Sequence, residues 1–221
     1  MPRNLLPAQH LPVYAAALPL AGWAVHSGVL TARLNRARRD PLTGLLTRDG
    51  FERAARKALD HPKRYPNMGV AFVDLDRFKQ VNDTHGHAAG DAALLHTAVS
   101  LRLFAGVGGT AARLGGDEFA AVLPATTLSL RVGRLAARLH GFTWNGLDLP
   151  LSASVGVCRV ADLPAPSLTA ALGAADAAMY AAKQTSGHTG AWVLADPAHT
   201  HPDTAHRHRR TRTATALREG A

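Results

Sequence analysis

Residues 113–119 read Arg-Leu-Gly-Gly-Asp-Glu-Phe (Arg113 to Phe119) and set two adjacent carboxylates directly after a pair of glycines, with strand-forming residues on either side. Gly115 and Gly116 can take the positive φ angles of a tight hairpin, and without side chains they let a bulky ligand approach the backbone. The stretch therefore predicts a hairpin with an acidic tip, its arms running over Thr110 to Leu114 and Glu118 to Leu123. Alone, a Gly-Gly-Asp turn is compatible with any exposed β-turn.

Upstream lies a second acidic group. The apolar run from Met68 to Val73 reads as a buried strand and ends at Asp74-Leu75-Asp76, followed by Arg77-Phe78-Lys79-Gln80-Val81-Asn82-Asp83. Carboxylates at the end of a buried strand, facing a hairpin tip, supply the hard oxygen ligands that Mg²⁺ prefers when it also holds phosphates. Lys79 adds a phosphate-seeking cation. A solvated strand-to-helix junction with an N-cap Asp explains one of these acids readily, but Asp74, Asp76 and Lys79 together less well.

Helix and strand patterns alternate around these segments. Arg48 to Leu59, His87 to Phe104, Leu128 to Leu139 and Leu168 to Thr185 have helical spacing, and Leu151 to Val160 reads as a further strand. That order predicts an α/β sandwich with a mixed sheet. With 221 residues, 47% of them hydrophobic, the chain can bury one full core. Its one cysteine, Cys158, falls in an apolar run, which makes it a buried thiol and excludes a disulfide framework within the chain. The formal net charge of +9 is concentrated at the two ends, as Arg33, Arg36, Arg38 and Arg39 and as Arg207, Arg209, Arg210 and Arg212.

Taken together these blocks resemble the GGDEF domains, the diguanylate cyclases that make cyclic di-GMP from GTP. The resemblance rests on Asp40-Pro41-Leu42-Thr43-Gly44-Leu45, on Thr47-Arg48 where the usual pair is Asn-Arg, on Asp74 to Lys79 with Asn82-Asp83, Gly86-His87 and Gly90-Asp91, on the signature itself, on Ser154 to Val157, and on Ala175 to Lys183. It implies a βαββαβ core, shared with nucleotidyl cyclases, with a mixed and largely antiparallel sheet and flanking helices behind an N-terminal helix. Three regions follow: residues 1–39 as a hydrophobic helix serving as membrane anchor or dimerising stalk, residues 40–195 as the cyclase domain, and residues 196–221 as a disordered basic tail.

The family's chemistry carries over by position. Asp74 and Asp117 become Mg²⁺ ligands, with the Leu75 carbonyl as a third and Mn²⁺ as an alternative metal. Asp117 or Glu118 accepts the proton of the attacking 3′-hydroxyl. Asp91 and Asn82 read the guanine edge, because a carboxylate accepts from N1–H and the N2 amino group together while adenine leaves those groups unpaired. His87 touches the base or ribose, or is a structural histidine. Phe78, Lys79 and Lys183 face the triphosphate. Two departures stand out: His188 occupies the place of a usual arginine after Lys183, and Gly106 and Gly109 replace the Arg-x-x-Asp product-binding pair of many relatives.

The expected function is Mg²⁺-dependent condensation of two GTP molecules across a homodimer; the alternative is a catalytically weak GTP-binding module that acts through protein contacts. Residues 4–32 contain no Asp, Glu, Lys or Arg, and arginines follow. This predicts inner-membrane attachment through residues 11–32 with the catalytic domain on the cytoplasmic side. The tail, rich in His and Arg, lacks aromatic stacking residues, so no specific nucleic acid is expected as partner.

Overall fold

Eight consecutive residues, Met68–Leu75, are buried along their whole length and form the strand β1, around which the sheet is built. The computed structural model describes residues 23, 25–31, 33, 34, 36–59, 67–186, 190–196 and 199. The chain divides into two units, residues 1–39 and residues 40–221.

In the first unit the described residues from 23 to 37 are helical, and Trp23, Val25, Val29, Leu30 and Leu34 are exposed. Among the described residues no helix is long and apolar enough to cross a membrane. The expected membrane run of residues 11–32 lies largely outside the described residues, as do His188 and, apart from Asp196 and His199, the basic tail.

In chain order the second unit contains α1 (Arg48–Leu59), β1, α2 (Phe78–His85), α3 (His87–Ala105), β2 (Thr110–Gly115), β3 (Glu118–Pro124), α4 (Leu128–Arg138), β4 (Phe142–Trp144), β5 (Leu147–Leu149), β6 (Ala153–Arg159), α5 (Leu168–Ser186) and β7 (Ala191–Leu194). The main sheet has the order β2-β3-β1-β6-β7, and β4 pairs with β5 in a separate two-stranded ribbon. β1 is antiparallel to both β3 and β6, whereas β7 joins β6 in parallel. The fold is thus α+β with a mixed, mainly antiparallel five-stranded sheet, as the sequence predicts.

Alternation along the strands divides the core in two. Ala71, Val73, Leu75, Phe119, Ala121 and Leu123 face α3 and α4, where Leu94, Leu101, Val132 and Leu135 meet them. Val70, Phe72, Ala120 and Val122 face the opposite layer, with Phe51 of α1 and Met179 of α5. Cys158 is buried in that second layer, and burial, followed by the nearby Asp162 charge, pushes its thiol up to about 11. It is an inert packing group.

The predicted helices and hairpin arms agree with the observed ones to within a residue or two. Four elements escape the sequence pattern. α2 is short and, with Val81 its one buried residue, has no apolar stripe to announce it. β4 and β5 have three residues each, and β7 has four. β1 also continues two residues beyond Val73, so Asp74 belongs to the sheet rather than to the turn after it.

Gly156 of β6 sets how closely α5 lies on the sheet. A Cβ there meets the Ala175 carbonyl oxygen at 1.9 Å and the Met179 amide nitrogen at 2.2 Å, both backbone atoms that cannot swing aside. Gly156→Ala is therefore expected to destabilise the domain by about 3 kcal/mol or more, at the upper end of overpacking effects. Urea denaturation checks this; an unchanged midpoint would mean that α5 does not rest on β6 in this way.

Candidate active site

The Gly115-Gly116 turn is fixed by its neighbours. Gly115 and Gly116 have φ of 155° and 48°, and the β2–β3 register shifts between Arg113 and Gly115. Arg113 Nε donates to the Gly116 carbonyl at 2.8 Å, while its Nη1 lies 3.3 Å from Asp40 Oδ1. Asp40 Oδ1 also accepts from the Thr43 amide at 2.8 Å and the Thr43 hydroxyl at 2.6 Å. Burial pushes the Asp40 carboxyl up, but the Thr43 hydrogen bonds and the Arg113 guanidinium outweigh it and hold the group below the usual carboxylate range. The Asp40-Pro41-Leu42-Thr43 segment and the signature turn are thereby one unit, and Leu46 strengthens it through a parallel bridge to Ala112.

The turn is seated against the end of β1. Asp74 stands opposite Glu118 on β3 and opposite Ser154 on β6, and the Leu75 amide donates to the Asp117 carbonyl at 3.2 Å. Asp74 is buried, and Lys183 of α5 brings Nζ to 2.5 Å from its Oδ1. Burial, then the nearby charge of Asp74, raises the Asp117 carboxyl above its usual value; Lys183 opposes this. A carboxyl whose proton affinity is raised by burial and by a neighbouring carboxylate belongs to a donor set suited to a hard divalent cation, which relieves the repulsion. Glu118 pairs with Arg48 at 3.7 Å, so the Arg of Thr47-Arg48 bears on the signature from α1.

The remaining predicted residues lie on the two helices after β1. Phe78 and Lys79 open α2, and Asn82 follows one turn later. His87 and Asp91 lie in the first turns of α3, beyond Gly86, which ends α2 with φ 83°. Asn82 rests against Gly90 so closely that a Cβ there lies 1.9 Å from Asn82 Oδ1. Lys79, His87 and Asp91 are exposed, and Asn82 and Phe78 are half-buried.

Asp76 differs from the sequence reading, which groups it with Asp74 and Lys79. It is 3% exposed, accepts from Ser154 Oγ at 2.7 Å and from the Gly190 amide at 3.1 Å, and its own amide donates to the Ser152 carbonyl at 2.9 Å. Its carboxylate fastens the end of β1 to β6 and to the approach to β7. The Asp-x-Asp spacing suggests a shared face only while the strand persists, and the chain turns after Leu75. The contacts of Arg113 and Arg48 were equally invisible to spacing, since their partners lie 73 and 70 residues away.

Gly106 and Gly109, the positions that the resemblance sets against the Arg-x-x-Asp pair, are closely packed. Gly106 has φ 64°, and a Cβ there meets Arg131 Nη2 at 2.9 Å; a Cβ on Gly109 meets the Ala105 carbonyl oxygen at 2.2 Å. Arg131 caps the end of α3, donating from Nη2 to the Phe104 and Ala105 carbonyls and lying over the Phe104 ring.

The raised Asp117 pKa gives a stability prediction. The folded state holds this proton more tightly than the unfolded chain, so the contribution of Asp117 is fully present below 3.8 and is lost as pH rises through the folded value. Asp117→Asn is expected to raise the melting temperature at pH 7, with the gain shrinking as pH falls through the raised folded value and gone below 3.8. A gain independent of pH, or a loss at pH 7, would refute the electrostatic origin.

Comparison with known proteins fits this geometry. Residues 37–189 match the family model described as diguanylate cyclase, GGDEF domain. An uncharacterized 19.3 kDa protein of Streptomyces ambofaciens is 56% identical over 173 residues, which cover 78% of this chain and 92% of that protein. Diguanylate cyclase TpbB of Pseudomonas aeruginosa is 36% identical over 177 residues, 74% of this chain but 39% of TpbB. The solved structure of the TpbB GGDEF domain alone superimposes with a TM-score of 0.65 at 34% identity, covering 72% of this chain and 94% of that one. With the signature hairpin, the buried strand it caps and the family match over 153 contiguous residues (37 to 189) in agreement, the chain belongs to the GGDEF family of diguanylate cyclase domains.

Proposed function

We propose that the protein is a diguanylate cyclase that condenses two GTP molecules into cyclic di-GMP with release of two pyrophosphates. The observation that carries this is the pair Asp74 and Asp117 at the capped end of β1, where the charge of one raises the proton affinity of the other. Mg²⁺ held by these carboxylates and the Leu75 carbonyl, with Mn²⁺ as a substitute, would neutralise phosphate charge and acidify the attacking hydroxyl.

In each half-reaction the 3′-oxygen of one GTP forms a bond to the α-phosphorus of the other as the bond from that phosphorus to the bridging oxygen of pyrophosphate breaks. The hydroxyl proton passes to Asp117 or Glu118. Each GTP is nucleophile once and electrophile once, so two copies of the domain, each presenting one nucleotide, complete the reaction. Lys183 shares its charge between Asp74 and the phosphates, which the opening of α2 at Phe78 and Lys79 also receives. Asn82 and Asp91 select guanine, and His87 lies beside the base or ribose. Residues 40–195 carry the chemistry; residues 1–39 are assigned to pairing two copies or to attachment at the cytoplasmic membrane. The exchange of the usual arginine for His188 favours one competing reading, a GTP-binding module with little turnover.

Three experiments test the assignment. Full-length protein with GTP and Mg²⁺ is expected to yield cyclic di-GMP, and Asp117→Ala to lower the rate by about a hundredfold or more, as loss of a charge-positioning group does. GTP binding without product, in protein shown to be dimeric, would select the regulatory module instead. Gly90→Ala should keep or improve helix stability while weakening GTP binding about tenfold by displacing Asn82; unaltered affinity in calorimetry would remove Asn82 from the guanine site. Cyclic di-GMP is expected to leave the initial rate unchanged, because neither Gly106 nor Gly109 can bind it through a side chain; inhibition lost on mutating Arg131 would contradict this.

A further inference from the structure

α2 has a second face. Gln80, Val81, Thr84 and His85, with Arg77 just before the helix, recur at steps of three and four residues on a side of α2 centred about a third of a turn from Phe78 and Asn82. Against that side opens a cleft of about 420 Å³, closed on its other wall by His140, Gly141 and the segment from Pro150 to Ser152. The volume lies within the roughly 300–1,000 Å³ of small-molecule sites. None of its lining residues has a role in the proposed condensation.

The chemistry of the walls is lopsided. Arg77, His85 and His140 bring one guanidinium and two imidazoles, Gln80 and Thr84 add hydrogen-bonding groups, and Val81 and Leu151 supply apolar surface. The one acid in the lining, Asp76, is buried, and its oxygens accept from Ser154 and Gly190 within the protein. Arg77 also holds a left-handed backbone, φ 53° and ψ 30°, an uncommon conformation for a long side chain. Such strain persists where surrounding structure enforces it, and it concentrates at ligand sites.

We propose that this cleft is a second ligand site, which takes a small amphipathic anion. A phosphate or carboxylate head is received by Arg77, His85 and His140, and an apolar or aromatic body lies against Val81 and Leu151. The site is separate from the nucleotide site and does not depend on the cyclase reading. Its floor, Asp76 hydrogen-bonded to Ser152, is the turn that directly follows Asp74 and Leu75.

The test is a ¹H–¹⁵N NMR titration of the full chain with phenyl phosphate, benzoate and uncharged benzyl alcohol. Saturable shifts at the amides of Gln80, Thr84, Gly141 and Ser152 are expected with at least one of the anions. Phenyl phosphate alone would assign a phosphate head, and benzoate alone a carboxylate head. The affinity should fall at least fivefold in the double variant His85→Ala/His140→Ala and in Arg77→Gln, and should stay unchanged in Asp117→Asn. Shifts that do not saturate, shifts confined to Asn82, Asp91 and Asp117, or undiminished affinity in both the double variant and Arg77→Gln would overturn the proposal. Equal binding of benzyl alcohol would overturn its anionic part.

Discussion

The site depends on one constraint: β1 is covered on both faces and both edges, yet its last residue but one carries a carboxylate. Apolar residues from Met68 to Val73 lock the strand between β3 and β6, so Asp74 arrives at the sheet's end with almost no positional freedom. A charge in that place requires compensation, and Lys183 meets it from α5. The same helix is held down on Gly156, so the packing of the second core layer and the electrostatics of the site rest on the same contact.

The signature hairpin is positioned with equal firmness. Arg113 spans from the Gly116 carbonyl to Asp40, and Asp40 in turn gathers Thr43. This ties the first residues of the domain to the turn that carries Asp117. Asp40 and the acidic tip are thus joined through one side chain, Arg113. Asp117 itself pays for its placement in a raised proton affinity, a common state for groups poised to bind a cation or to accept a proton.

The departures from the family pattern also have a physical shape. At Gly106 and Gly109 the backbone is closely packed: Ala105 approaches Gly109, and the Arg131 guanidinium fills the space beside Gly106. A side chain at 109 would collide with the Ala105 backbone, and one at 106 would displace the Arg131 guanidinium and require a positive φ.

Much of this was legible in the sequence, because strong periodicity and glycine chemistry act locally. The buried run at β1, the four long helices, the hairpin at Gly115-Gly116 and the family signature are properties of adjacent residues, and the α+β class followed from their order. What the tertiary structure alone decided is which charges meet. Asp76 turned out to fasten β6 and the start of β7; Arg113 reached Asp40, Arg48 reached Glu118 and Lys183 reached Asp74, each across 70 residues or more. The short elements α2, β4, β5 and β7 likewise owe their form to neighbours, since so few residues carry too weak a pattern of their own. Sequence spacing fixes which side chains share a local face, whereas pairing between distant faces depends on sheet register and helix packing, which exist only once the chain has folded.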